Sequence, residues 1–426
     1  MKDKLKNQFC RFFSINRIKW LLSLMLLILG SAGMAQDLVI EGATVYASPQ
    51  SAPMPNAVVV VHKGKITQVG RSGSVTIPKN TRVIDAKGLY LTAGYWNCHV
   101  HFTESKWYGA DTIQAARLTS QLNDMVNSRG FTHVFDLAEL DVKNLKALRS
   151  RIDRGEVPGP EIRFVGVPLT PVNGSPFYIR PFKLPEVGSP SEAVKDVINQ
   201  IHEGAQGIKL FTGSPNGKEV VTMRIDVGQA AVKAAHGAGL PVFAHPSSID
   251  GVKVAMASGV DILAHLSPDD HRDWTQSTIN ELLEKHMAVI PTMKMFQWSL
   301  LNYGGDTTNN PLITTAINQL GSFAKAGGVI LFGTDLGFMT DYSTEAEFEL
   351  MSRSGLDFHA ILKSLTTAPA KKFGLEKTTG RISAGLDADI VLLYADPAKN
   401  SRNFTKVAYT ISKGKITYSR SSGTIK

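Results

Sequence analysis

Eight short apolar runs alternate with helical patterns through the middle of this chain, and that alternation restricts its possible folds. The runs fall at 95–101, 131–137, 161–168, 205–211, 241–245, 261–265, 287–292 and 328–334. Between many of them lie helical patterns such as AARLTSQLNDMVNSRG, SEAVKDVINQIHEG, VGQAAVKAAHGAG and TQSTINELLEKHM. Repetition of strand then helix predicts a parallel α/β sheet. Eight repeats fit a closed (β/α)8 TIM barrel, which uses ~250 residues as one domain. A doubly wound open sheet is the alternative. No GxGxxG follows the first run, so a dinucleotide fold lacks its main support.

The flanks differ in character. DLVIEGATVYA, AVVVVHKGKITQVG and TRVIDAKGLYLTAG read as short strands, and so do ADIVLLYADP and KVAYTISKGKITYSR near the other end. The related pieces GKITQV and GKITYS suggest similar hairpins. We therefore expect residues 36–92 and 375–426 to build one small β-sandwich domain from both chain ends, with 93–374 forming the barrel. Two unrelated β extensions are the alternative.

The first 35 residues read as a secretory signal. Arg17 and Lys19 precede an apolar segment from Trp20 to Gly30, and small residues follow up to Ala35. That segment is short for a membrane span. Cleavage near Ala35 would export the protein to a bacterial periplasm or the extracellular space, with no stable transmembrane span remaining. An uncleaved anchor is the alternative. Of the formal charge of +9, residues 1–35 contribute six Lys or Arg and one Asp, so the remainder carries about +4. With no dense basic stripe and no zinc-finger spacing, the sequence does not read as nucleic-acid binding. Cys98 would be the only cysteine after cleavage, which excludes an intramolecular disulfide.

Several runs end in, or contain, residues able to hold a metal. They are His99 and His101 in NCHVHF, Lys209 in GIKLF, His245 in VFAHP, His265 in ILAHL and Asp335 in FGTDLG. In an extended strand His99 and His101 project to one side. Imidazoles and a carboxylate suit zinc or a related ion. Each residue also has a plainer role: a core histidine satisfying a carbonyl, a turn-capping aspartate, a salt-bridging lysine. An ammonium would repel a metal, so Lys209 could be a ligand only as a neutral amine or a modified side chain.

Taken together, LTAGYWNCHVHFTES, PGPEIRFVG, GIKL, VFAHP, DILAHL, VILFGTDLG and AILKSLTTAPAKKFGLEKTTGRISAGLDADIVLLYADP resemble the amidohydrolase superfamily. The similarity is nearest to its imidazolonepropionase-like and metal-dependent prolidase-like branches and spans roughly residues 38–418. The resemblance implies two divalent metal ions, with zinc the expected metal. His99 and His101 match the ligands of one ion and His245 and His265 those of the other. Lys209 matches the strand-four lysine that carries a bridging carbamate, and Asp335 the strand-eight ligand and proton-transfer residue. Two departures stand out. Asn97 occupies a position that is often Asp, and VNGSPFY replaces a loop that often contains Gly-Gly-His.

The reading is then a metal-dependent hydrolase in which activated hydroxide attacks an amide or peptide-like bond of a small-molecule or short peptide substrate. A cyclic amide, lactone, ester or organophosphate would serve the same attack. A non-catalytic exported binding protein on the same fold is the alternative class. Long loops follow the first and third runs, where substrate recognition is common in barrels. Tyr178 and Arg180 are candidates there, Arg180 for a substrate carboxylate and Tyr178 for a hydrogen bond near the carbonyl. Trp107, Tyr108, Phe296 and Trp298 are candidates for an aromatic wall. Ordinary packing or a surface ion pair would equally account for these six. A homo-oligomer is compatible with the sequence.

Overall fold

The computed structural model describes residues 37–79 and 81–420. The expected signal segment and its cleavage point lie outside them. Both chain ends meet in one sheet. Its N-terminal strands are β1 (Leu38–Val45), β2 (Met54–His62), β3 (Lys65–Arg71), β4 (Arg82–Asp85) and β5 (Tyr90–Ala93). The C-terminal part supplies β14 (Ile390–Leu393), β15 (Val407–Ser412) and β16 (Lys415–Ser419). The order is β16-β15-β14-β5-β1-β2-β3, with β4 pairing β1. The ends join where β14 runs antiparallel to β5, with Ile390 opposite Ala93 and Leu393 opposite Tyr90.

The repeated GKIT has a structural basis here. Lys63 and Gly64 turn β2 into β3 with φ 49° and 79°, and Lys413 and Gly414 turn β15 into β16 with φ 46° and 75°. Positive φ at both central residues is what the tightest hairpins require. The two turns abut. A Cβ on Gly414 would sit 2.8 Å from the Gly64 Cα.

The eight apolar runs each contain a strand of the (β/α)8 barrel. These are β6 (Tyr95–Val100), β7 (Phe131–Asp136), β8 (Glu161–Phe164), β9 (Ile208–Phe211), β10 (Val242–His245), β11 (Ile262–Leu263), β12 (Ala288–Val289) and β13 (Val329–Ile330). Parallel ladders link β6 to β8 and β9 to β13. Backbone hydrogen bonds close both seams. Gln206 N donates to Phe164 O (2.8 Å) and Leu169 N to Lys209 O (3.0 Å), while Cys98 N donates to Phe332 O (2.8 Å).

Alternation along the strands divides the core. Phe135 packs in a cluster with Trp96, Cys98, Phe243, Ala264, Ile290 and Leu331. Its neighbour Val134 belongs instead to the larger cluster that joins strands to helices, with Leu118, Leu148 and Val252. This is the division of faces that a period of two imposes. The helices start where the sequence supplies caps. Ser189 and Glu192 form a reciprocal capping box before Pro190–His202, and Ser248 caps Ile249–Ser258. Among the described residues no helix is long and apolar enough to cross a membrane.

Candidate metal centre

The ends of β6 and β13 are tied together in a way that aims side chains at one point. Asp335 N donates to His99 O (2.9 Å), and His101 N donates to Leu336 O (2.7 Å). Asn97 adds a second tie. Its side-chain N donates to Thr334 Oγ1 (2.7 Å), and its Oδ1 accepts from His99 N (3.2 Å). An aspartate there could only accept, so the amide suits a position that must do both. Asp335 has a left-handed backbone at φ 65°. Such conformations cost roughly 1–3 kcal/mol and cluster at functional sites.

Four imidazoles form a row beside Asp335. Ring centres are 5.1 Å apart for His101 and His99, 4.6 Å for His99 and His265, and 4.6 Å for His265 and His245. His99 Nδ1 donates to Ala264 O (3.0 Å). That fixes its proton on Nδ1 and leaves the Nε2 lone pair facing Asp335 Oδ1 at 3.3 Å. His265 places Nδ1 2.7 Å from Thr292 Oγ1, and its Nε2 lies 4.0 Å from Asp335 Oδ2. The donor atoms of His99, His265 and Asp335 all lie within 4.8 Å of one another. Among the described residues this is the one grouping of three or more His, Cys, Asp or Glu donors so arranged.

These residues fit a divalent ion on a further ground. Asp335 Oδ1 is buried and has no hydrogen-bond partner. His101 Nε2 is only 2.7 Å away, yet the pair is not aligned as a hydrogen bond. Buried polar atoms rarely stay unsatisfied, and an anion facing imidazole lone pairs is a metal donor set. Burial holds His99 and His265 well below the usual histidine range, which keeps their lone pairs available. Burial disfavours the Asp335 anion, but His99, His101 and Lys209 outweigh it and hold the carboxyl well below its usual range.

Lys209 is buried on β9, and burial pulls its ammonium down to about 7 against the opposing pull of Asp335. A substantial neutral fraction at physiological pH follows. His245 stands beside the triad rather than within it. It stacks on Phe211 at 4.5 Å, and its Nε2 is 3.0 Å from Ser247 Oγ. Among the described residues, then, one grouping of three such donors is assembled, by His99, His265 and Asp335.

The six candidate substrate residues are dispersed. Tyr178 packs against Phe338 (5.4 Å), and Phe338 against Trp298 (6.0 Å). Phe296 is buried, with its ring 6.5 Å from that of His265. Trp107 is fully buried against Phe102 (5.0 Å), where it packs the barrel wall. Tyr108 is exposed, and its hydroxyl reaches only Thr103 O at 3.4 Å. Arg180 is exposed and donates to Asn216 O (2.6 Å).

Sequence reasoning passed over three residues near the site: Phe338, Thr292 and Asp136. Asp136 had the same mark as the others, a carboxylate closing an apolar run. It accepts from Phe102 N and Ala138 N, both at 2.9 Å, and lies 3.6 Å from His101 Nδ1.

With this geometry in place, comparison with known proteins is informative. The model of the amidohydrolase family matches residues 90–417. An ochratoxinase from Aspergillus niger is 24% identical over 400 residues, covering 83% of this chain and 80% of that protein. An adenine deaminase from Chelativorans sp. (strain BNC1) is 24% identical over 367 residues, 85% of this chain but 55% of the relative. The chain thus spans about half the length of that deaminase. Among solved structures, a Xaa-Pro dipeptidase with bound methionine in its active site superposes with a TM-score of 0.76 at 20% identity, covering 90% of this chain and all of that one. The structure of the A. niger ochratoxinase gives 0.73 at 20% identity, covering 92% of this chain and 97% of that one.

Proposed function

The chain belongs to the amidohydrolase family, and from that premise we propose that it is an exported, metal-dependent hydrolase of amide or peptide-like bonds. The observation that carries this reading is the convergence of His99, His265 and Asp335, whose donor atoms lie within 4.8 Å of one another at the barrel rim. These three would hold one divalent ion, with zinc the expected metal and His101 beside them. Lys209, as a carbamate, and His245 would extend the donor set toward a second ion. A divalent ion at such a site supplies Lewis acidity toward a carbonyl oxygen and lowers the pKa of a water.

The chain's own groups account for the proton traffic. Asp335 is an anion among imidazoles, so it can accept a proton from the attacking water and return it to the departing nitrogen as the carbon–nitrogen bond breaks. The products would be a carboxylic acid and an amine. The Tyr178 phenol is pushed well above its usual pKa by burial and by the charges of Asp335 and Asp269. It therefore keeps its proton at neutral pH and can donate to a developing oxyanion. The relatives named as ochratoxinase and Xaa-Pro dipeptidase make an amide the first substrate class to try.

The test is metal stoichiometry by elemental analysis on protein produced with zinc and bicarbonate, followed by an amide, lactone and ester screen. Two ions per chain and amide turnover are expected. One ion with turnover would remove the Lys209 carbamate and the second ion while keeping the triad. Folded protein that binds no metal would overturn the reading.

A further inference from the structure

Thr292 stands at the cap position of the helix Met293–Asn302. A threonine there ordinarily spends its hydroxyl on the helix's own free N–H groups. This one does not. It sits at φ 46° and ψ 38° and makes no side-chain cap. Its Oγ1 lies 2.7 Å from His265 Nδ1 instead. Met293 and Lys294 are buried, so the N–H groups of that first turn still need an acceptor.

The acceptor comes from a distant part of the chain. Glu347, in the helix Glu345–Arg353, is fully buried, and its Oε2 accepts from Lys294 N at 2.7 Å. Lys294 ties the same two segments again. Its Nζ donates to Asp341 O (2.6 Å) and pairs with Asp341 Oδ2 (3.0 Å). The chain that leaves Asp335 thus returns to cap the helix whose entry residue holds His265. The other Glu347 oxygen, Oε1, is buried without a hydrogen-bond partner. An unpaired buried acceptor is destabilising, so stability alone does not account for a carboxylate here.

We propose that Glu347 is a positioning residue for the metal centre: it caps the helix in place of Thr292 and so leaves the threonine hydroxyl free to hold the His265 ring. This deepens the hydrolase reading and rests on it, through His265 as a metal ligand. Without the Glu347 acceptor, the helix N–H groups and His265 Nδ1 compete for one hydroxyl. A buried N–H without a partner is costly, and so is the left-handed backbone of Thr292. Both costs fall if Thr292 takes up the extended backbone of an ordinary capping threonine and turns Oγ1 to the helix. His265 then loses its Nδ1 partner, and the orientation of its Nε2 is no longer fixed.

The experiment is a double-mutant cycle on zinc affinity, read by chelator competition in the full-length protein. Glu347→Met keeps the length of the side chain and removes the acceptor, and should weaken zinc binding by about tenfold. The double variant with Thr292→Val should bind no worse than Thr292→Val alone, because both changes remove the same contact. Glu347→Gln retains a side-chain oxygen and should stay near wild type. Glu347→Asp draws the acceptor back from Lys294 N and should repeat the loss, which keeps the test open if the Met variant folds poorly. Ser189→Ala removes the cap of Pro190–His202 and controls for lost capping as such; its zinc affinity should not change. A second arm uses zinc-free protein with isotope-labelled histidine. The His265 Nδ1–H signal should be protected from exchange in wild type and Glu347→Gln, and lost in Glu347→Met. Additive losses in the cycle would overturn the proposal and make Glu347 a general support of the helix, as would an unchanged His265 signal in Glu347→Met. Wild type that binds no zinc yet shows the Glu347-dependent signal would instead sink the metal reading and leave the positioning of His265 standing.

Discussion

Thr292 Oγ1 lies 2.7 Å from His265 Nδ1, and both side chains are buried. Thr292 makes this contact from a left-handed backbone, φ 46° and ψ 38°, which a β-branched residue rarely adopts. When the hydroxyl accepts from Nδ1–H, the Nε2 lone pair is left facing Asp335. Outer partners of this kind commonly change metal affinity by about 10–100-fold when removed. Thr292→Val should weaken metal binding by about that factor in a chelator competition titration. Thr292→Ser should stay near wild type. Equal losses in both variants would mean that the methyl group, and not the hydroxyl, supports the ring.

Asp335→Asn separates ligation from proton transfer. Asparagine tolerates the left-handed backbone that Asp335 adopts at φ 65°, so the turn should survive. A carboxamide cannot take up a proton at neutral pH. Turnover should fall by about 10²–10⁴, the usual contribution of a positioned acid–base group. Much of the metal should remain by elemental analysis. Near-normal turnover in that variant would remove Asp335 from the proton path.

Gly337 makes the close approach of β6 and β13 possible. It sits at φ 96°, and a Cβ there would lie 1.9 Å from the His101 carbonyl oxygen. Gly337→Ala must therefore push His101 away from Asp335. We expect a stability loss of about 3 kcal/mol or more by denaturant unfolding, together with weaker metal binding. Gly304→Ala is the control, since Gly304 also has positive φ (74°) but open space around its Cβ position. It should cost clearly less. Similar losses at both positions would assign the effect to backbone conformation alone.

The fold was legible because its repeat is carried by apolar runs. The runs at 261–265, 287–292 and 328–334 mark β11, β12 and β13 even though each ladder there is only two residues long. Burial, which writes the pattern, extends beyond the hydrogen-bonded pairs. The metal-site candidates were legible for a related reason: strand ends converge on a barrel rim whatever the loops do. Loop-dependent features were not. Trp107 and Trp298 look alike in sequence, yet one is sealed under Phe102 and the other faces Phe338. Thr292 and Phe338 are placed by the paths of the loops that carry them, and no local pattern marks those paths.

The junction of barrel and sandwich supplies a pH test well away from the metal centre. Lys413, in the β15–β16 turn, lies 2.8 Å from Glu161 at the start of β8. Burial disfavours the Glu161 anion, but the charges of His133 and Lys413 and the Lys413 hydrogen bond outweigh it and bring the carboxyl down to about 2 from 4.5. His133 is itself held low by burial, and Lys413 pairs directly with the anion at 2.8 Å. A folded-state pKa below the unfolded one contributes stability that is present above about pH 4.5 and is lost as the pH falls toward about 2. Both partners are partly exposed, which limits the contribution to about 1 kcal/mol or less. Glu161→Gln should therefore lower the melting temperature modestly at pH 7. The gap to wild type should narrow steadily in melts taken between pH 4.5 and pH 2. A gap that does not change with pH would show that Glu161 acts through packing, not through its charge.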